Sequence, residues 1–64
     1  MREHVETYNA LTSNLNTVRV DVDRQGLIYR AVVTTKSGKK FDAESEFRAF
    51  AESDAMNRAE SAGY

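Results

Sequence analysis

Apolar and polar residues alternate most clearly in residues 17–23. Val18, Val20 and Val22 are separated there by charged side chains, which is the two-residue period of a strand with one buried face. A second stretch, residues 27–35, is rich in the aromatic and β-branched residues that favour strands. These two patterns predict neighbouring strands.

Short polar segments with glycine mark the turns of the predicted sheet. Gly26 lies between the first two strands, and Gly38 follows the second strand. Each glycine can take the positive φ that tight turns use. A short third strand is expected around residues 40–43, so the three strands would form an antiparallel meander.

Two other segments have the apolar spacing of amphipathic helices. Val5, Tyr8 and Leu11 recur every three residues, which predicts a helix over residues 3–13. Asp42 is expected to cap a second helix that Gly63 ends. The apolar face of this second helix is expected to contain Phe47, Phe50, Ala51, Ala55, Ala59 and Ala62.

The predicted fold is a single α+β domain over residues 1–64, with a three-stranded antiparallel meander and two helices on one face, in the order α-β-β-β-α. In the second strand, Tyr29, Ala31 and Val33 are expected to point toward the helices together with Leu27. Both helices are then used on that side. The opposite face of the sheet is expected to lie bare.

This bare face is the predicted site of a protein interface. Ile28 and Val32 would form an apolar centre with charged residues around it, a composition common in protein interfaces. Met56 points away from the alanine face by helical phase, as a scattered surface residue or as an adaptable contact. The predicted partner-binding residues are Arg19, Asp21, Ile28, Arg30, Val32 and Met56.

Composition excludes several kinds of site. The chain has no cysteine and one histidine, His4, which excludes disulfides and thiolate metal sites and disfavours zinc. His4 with Glu3 or Glu6 lies near a fraying end, and Asp21 with Asp23 is better explained by ion pairing across strands than by acid–base catalysis. We therefore predict no enzyme, no catalytic residue, no metal and no cofactor.

The length of the chain favours self-association. A domain of 64 residues buries only about 60% of the surface that its unfolded chain exposes. Without disulfides or a metal, a homodimer is the expected source of further stability. No apolar stretch approaches the roughly 20 residues of a membrane span, and the first residues lack the apolar core of a signal peptide. A cytoplasmic location is expected.

Charge leaves one alternative function open. Nine basic and ten acidic residues are mixed along the chain, with a net charge of −1, which disfavours nonspecific binding to nucleic acid. Lys36, Lys39 and Lys40 form the one basic cluster, around a glycine turn that could contact phosphate. The alternative function is therefore a small nucleic-acid-binding domain that uses this turn. The other interpretation of the turn is a solvated hairpin tip whose lysines discourage aggregation at the sheet edge.

The predicted order of elements resembles that of double-stranded RNA-binding domains over nearly the entire chain. Those domains open their last helix with a lysine cluster that contacts phosphates. The corresponding residues here are Glu44, Ser45, Glu46, Phe47 and Arg48. The resemblance therefore implies a layout and transfers no RNA-binding residue.

A looser resemblance is to the small proteins that phages and mobile elements encode against host machinery, including anti-CRISPR proteins. It is carried by the small size, the strand at residues 18–23, the lysine turn, and Phe41 and Asp42 before a helix with Phe47 and Phe50. It implies a noncatalytic inhibitor that binds a host protein complex in the host cytoplasm.

Overall fold

The computed structural model describes residues 2–64 and contains four strands followed by one helix. The strands are β1 (Arg2–Leu11), β2 (Thr17–Gln25), β3 (Ile28–Thr35) and β4 (Lys40–Ser45), and the helix is α1 (Arg48–Ser61). The strands form one antiparallel sheet in the order β1-β2-β3-β4. An α+β domain with an antiparallel sheet is confirmed. The predicted α-β-β-β-α order with two helices is wrong, because the order is β-β-β-β-α.

The N-terminal segment is the edge strand β1 and not a helix. A β-bulge between His4 and Glu6 inserts one extra residue, Val5, into the pairing with β2. The insertion breaks the two-residue alternation at Val5. Leu11, which is 60% exposed, lies on the face opposite to that of Tyr8, so the three apolar residues have helical spacing without sharing a face. Pairing with the open edge of β2 makes this segment a strand and not a helix. The spacing of residues in the sequence cannot reveal such pairing. The likeness to double-stranded RNA-binding domains loses its basis, since it required an N-terminal helix.

One face of the sheet, the inner face, packs against α1. The helix contributes Ala51, Ala55 and Ala59, which are fully buried. The sheet contributes the buried residues Val18, Val20, Val22, Ala31, Val33 and Ala43. Because the fully buried helix residues carry only methyl groups, the backbone of α1 can lie close to the sheet.

The start of α1 differs from the predicted start. Asp42 belongs to β4, and the N-cap residue is Phe47, which has an extended backbone and forms no side-chain cap. Phe47 and Phe50 are 62% and 61% exposed and pack edge to face against each other at 5.5 Å. The prediction that they face the core is wrong, because the alanines set the helical phase and Phe47 lies outside the helix. Ala62, the C-cap residue, is also exposed.

The predicted end of α1 at Gly63 is confirmed. Gly63 has a φ of 97°, and its N–H donates to the Glu60 carbonyl at 3.0 Å. The N–H of Tyr64 donates to the Ala59 carbonyl at 3.0 Å. These two bonds form a Schellman motif, which turns the ring of Tyr64 toward Phe41 of β4, at 5.8 Å between ring centres.

Two of the turns share one hydrogen-bond pattern built on a buried threonine. Thr12, before β2, and Thr35, before β4, each accept through Oγ1 the backbone N–H of the residue four positions later, both at 3.1 Å. The residue three positions after each threonine is Leu15 in one turn and Gly38 in the other. Its backbone N–H donates to the threonine carbonyl, at 2.9 Å in both turns. The φ angles of Leu15 and Gly38 are 65° and 89°. A leucine therefore occupies the position that the other turn gives to glycine.

Replacing Leu15 with glycine is expected to stabilise the protein. Left-handed backbone costs a residue with a Cβ about 1–2 kcal/mol, and the Leu15 side chain loses little packing, being 78% exposed. Allowing for the greater chain entropy of glycine, Leu15→Gly should raise the free energy of unfolding by about 0.5–1 kcal/mol in urea denaturation. The mirror variant Gly38→Leu should lower it. A lower stability for Leu15→Gly would show that Leu15 is not strained.

Candidate interaction surface

The face of the sheet opposite α1, called the outer face, is left uncovered by every element within residues 2–64. Directly paired residues of antiparallel strands point to the same face, so the strand register arranges the outer face in rows. The basic row is Asn9, Arg19, Thr34 and Lys40. The middle row is Thr7, Asp21, Val32 and Asp42. The mixed row is His4, Asp23, Arg30 and Glu44.

Five of the predicted partner-binding residues lie together on the outer face. Arg19 and Asp21 are on β2, and Ile28, Arg30 and Val32 are on β3. Ile28 is 37% exposed, and Val32 is half-buried. Arg30 separates the two apolar residues along the strand. The outer face is therefore a charged surface with two apolar positions on β3, one on each side of Arg30.

The other predicted residues are divided between different parts of the molecule. Met56 lies on α1, half-buried against the core, and is remote from the outer face because the sheet lies between them. Lys36 and Lys39 lie in the turn between β3 and β4, whereas Lys40 begins β4 in the basic row. The three lysines share one end of the sheet.

Ion pairs connect the middle row to the rows on either side. Arg19 Nε donates to Asp21 Oδ2 at 3.2 Å, and Arg30 Nη2 donates to Asp42 Oδ2 at 2.6 Å. The prediction of ion pairing across strands is wrong for Asp21, because its partner Arg19 lies on the same strand. Asp23 does pair directly with Arg30 in the strand register, but the ion pair of Arg30 is with Asp42, which is on the outer face and not at a helix cap.

A hydrogen-bond chain joins β1 to β2 on the outer face. His4 Nδ1 lies 3.0 Å from Asp23 Oδ1, and His4 Nε2 lies 2.9 Å from Thr7 Oγ1. The order of carboxylate, imidazole and hydroxyl also occurs in nucleophilic catalysis. Here, however, the Thr7 hydroxyl donates to Asp21 Oδ1 at 2.6 Å. The chain thus holds the edge strand in place, and His4 contacts neither of its neighbouring glutamates.

On the inner side, a polar cluster ties β1 to α1. Arg48 pairs with Glu6 of β1 and with Glu52 of its own helix, and the Tyr8 hydroxyl donates to Glu52. Burial, followed by the hydrogen bond to Glu52, raises the pKa of Tyr8 to about 12. Hydrogen bonds to Glu6 and Glu52 raise the pKa of Arg48. The cluster therefore favours a neutral Tyr8 and a charged Arg48.

Alkaline pH is expected to loosen this cluster. The pKa of Tyr8 is raised from 10.0 to about 12 in the folded protein, so its contribution to stability is complete below pH 10 and is lost as pH rises toward 12. The melting temperature should fall over this range, and Tyr8→Phe should show a smaller fall. Tyr29→Phe, which keeps the Tyr8 hydrogen bond, should follow the wild type. Equal slopes for Tyr8→Phe and wild type would contradict the assignment.

Two shallow concavities lie at the end of the sheet where one turn joins β1 to β2 and another joins β3 to β4. The first, of about 320 Å³, is on the outer face, and its polar lining residues are Asn9, Thr17, Arg19, Thr34, Thr35 and Lys36. None of its lining residues is acidic. The second, of about 250 Å³, is lined by Leu15 and Tyr64, and Lys36 borders both. Sequence reasoning missed these sites, since they join residues from separate strands and turns.

Among residues 2–64, no three side chains of His, Asp or Glu are grouped so that they could hold a metal ion. The one helix in the described part of the chain lacks the length and apolar character needed to span a bilayer.

Comparison with protein-family models, curated proteins and solved structures finds no match to this chain. The functional interpretation therefore rests on the outer face itself. Its informative features are the strand register, the ion pairs and the charges that remain without a partner.

Proposed function

We propose that this chain is a noncatalytic protein-interaction module that binds its partner through the outer face. The observation that carries the proposal is a four-stranded face that no element within residues 2–64 covers. Non-obligate interfaces are about as polar as the remaining protein surface, and arginine is enriched in them. The outer face fits this description, with Arg30 between Ile28 and Val32.

The charge pattern specifies the partner surface. The basic row carries Arg19 and Lys40, and the middle row carries Asp21 and Asp42. A surface whose acidic and basic bands run in the reverse order would be attracted to the outer face and held in one register. Proteins present such bands readily, whereas a uniformly charged polymer does not.

The proposal extends to the mode of action. Small proteins that phages and mobile elements use as inhibitors act by occupying a surface of a host complex, and this chain resembles them in size and style. We propose the same action here, in the cytoplasm and as a homodimer. The size of the chain and its lack of cysteine support this part of the proposal.

Affinity capture with matched surface variants tests the proposed face. Tagged wild type, Ile28→Asp, Val32→Asp and Ser53→Asp would be used, since Ser53 is exposed on α1, away from the outer face. Proteins retained by wild type and by Ser53→Asp should be lost with both outer-face variants, because a new carboxylate there is costly to desolvate. Circular dichroism would check that each variant is folded. Unchanged retention by Val32→Asp would remove the proposal.

A nucleic-acid-binding domain is the second candidate function. It is favoured by the concavity that brings Arg19 and Lys36 together without an acidic lining residue. Asp21 and Asp42 in the next row oppose a long polyanion, so the protein interface ranks first. The alternative predicts binding to duplex DNA or RNA that weakens steeply with salt and with Lys36→Gln. No binding at about 50 mM salt would exclude it.

A further inference from the structure

One copy of the chain leaves two charges on the outer face without a partner. Lys40 and Glu44 are both exposed on β4, and neither forms an ion pair within residues 2–64. The other charged residues of the three rows are paired. Lys40 and Glu44 lie four positions apart on the same side of an edge strand, about 13 Å along it.

A second copy can supply the missing partners. Consider a twofold axis that lies parallel to the outer face, crosses the strands and passes through the middle row. Rotation about this axis reverses the order of the rows and keeps each strand over its counterpart. Lys40 then faces Glu44 of the second copy, and Arg19 faces Asp23 of the second copy. Symmetry repeats both contacts.

We propose that the outer face forms a symmetric homodimer in this register, with Val32 of each copy near the axis. The inference rests on the proposed function, because it places a second copy on the proposed binding face. The dimer must therefore separate before that face can bind another protein. Each residue of the middle row faces the same residue of the second copy. Asp21 and Asp42 therefore face like charges, but each already accepts a hydrogen bond from an arginine of its own copy. The like charges on the axis are therefore compensated within each copy.

Charge favours this register over the other symmetric one. A twofold axis that runs along the strands would place Lys40 over Asn9 of the second copy and beside its Arg19. Arg30 would face Asp23 in that arrangement, but Lys40 would lack an acidic partner. Reversal of the rows gives Lys40 an acidic partner at both symmetric contacts.

The size of the face predicts a weak dimer. Four strands at a spacing of about 4.8 Å and three rows at a spacing of about 6.7 Å give about 19 Å by about 20 Å, hence about 770 Å² from both copies together. Specific interfaces of this area are transient. Exposed ion pairs are also screened by salt, so dimerisation should be strongest at low ionic strength.

Charge reversal on β4 tests the register. Sedimentation velocity at about 50 mM salt would be measured for wild type, Lys40→Glu and Glu44→Lys. Each variant alone places like charges together at both symmetric contacts, so its dimerisation should weaken at least tenfold. An equal mixture of the two variants should form heterodimers with nearly the wild-type affinity, because each facing pair then contains one acidic and one basic side chain.

Two variants with the same charge change serve as controls. Lys39→Glu changes the turn before β4, and Glu46→Lys changes the segment after β4, so neither alters a row of the outer face. Both should dimerise within about threefold of wild type, as expected for screened charges away from the contact.

The results separate this inference from the proposed function. A wild type that stays monomeric up to about 1 mM, or a mixture of variants that stays monomeric, overturns the homodimer. If Val32→Asp still abolishes capture of another protein, the outer face remains a protein-binding surface and the inference of a second copy alone is overturned.

Discussion

Replacing Ala55 with leucine is expected to remove about half of the free energy of unfolding. Ala55 is fully buried at the middle of the contact between α1 and the sheet, and Ala31 and Ala43 of the sheet are buried at the same core. Leucine adds three carbons where methyl groups already meet. Overpacking a close-packed core costs about 1–3 kcal/mol and sometimes more, whereas a domain this small rarely has more than about 3–5 kcal/mol in total.

Urea denaturation followed by circular dichroism would measure the loss, with Ala49→Leu as the matched control. Ala49 lies on the exposed side of the same helix, so the same substitution there should change the free energy of unfolding by less than about 0.5 kcal/mol. A wild-type midpoint for Ala55→Leu would mean that α1 does not pack closely on the sheet.

Much of the core could be predicted from local patterns. Val18, Val20 and Val22 alternate strictly with charged residues, and the structure buries all three. Glycine after the last alanine marks the end of α1, because a C′ residue needs positive φ. These features are visible in the sequence because each depends on residues within a few positions of one another.

The N-terminal strand could not be predicted in this way. Its apolar residues have the spacing of a helix although they share no face of the strand, and only pairing with β2, a contact distant in sequence, reveals the strand and its bulge at Val5. The exposure of Phe47 and Phe50 has a similar origin. The alanines alone determine which side of α1 meets the sheet, and the helix begins after Phe47.

The candidate surface shows the same division. Alternation along β3 correctly placed Ile28, Arg30 and Val32 on one face, since that depends on strand periodicity alone. The rows that give the face its charge pattern depend on register between strands. That register also determines which charges lie beside Lys40 and Glu44. Lys40 is in the row of Arg19, and Glu44 is in the row of Asp23.

The turn between β1 and β2 is attached to the end of α1 through one buried side chain. Thr12 is 2% exposed, and its Oγ1 donates to the main-chain oxygen of Tyr64 while accepting the backbone N–H of Asn16 at 3.1 Å. Nearby, the backbone N–H of Ser13 donates to Glu60 at 2.7 Å. Asn16 Nδ2 also donates to the main-chain oxygen of Tyr64, at 2.7 Å, but Asn16 is exposed. Thr12 is therefore the buried side chain among those that tie this turn to the end of the helix.

Thr12→Val is therefore expected to lower the free energy of unfolding by about 1–3 kcal/mol, because it keeps the shape of the side chain and removes two hydrogen bonds worth about 0.5–1.5 kcal/mol each. Thr12→Ser, which keeps the hydroxyl, should cost less. Thr35→Val removes the same hydroxyl from the equivalent turn, which has no bond to α1, and should also cost less than Thr12→Val. Equal losses for the two valine variants would show that the threonines stabilise only their own turns, and that attachment to α1 adds nothing.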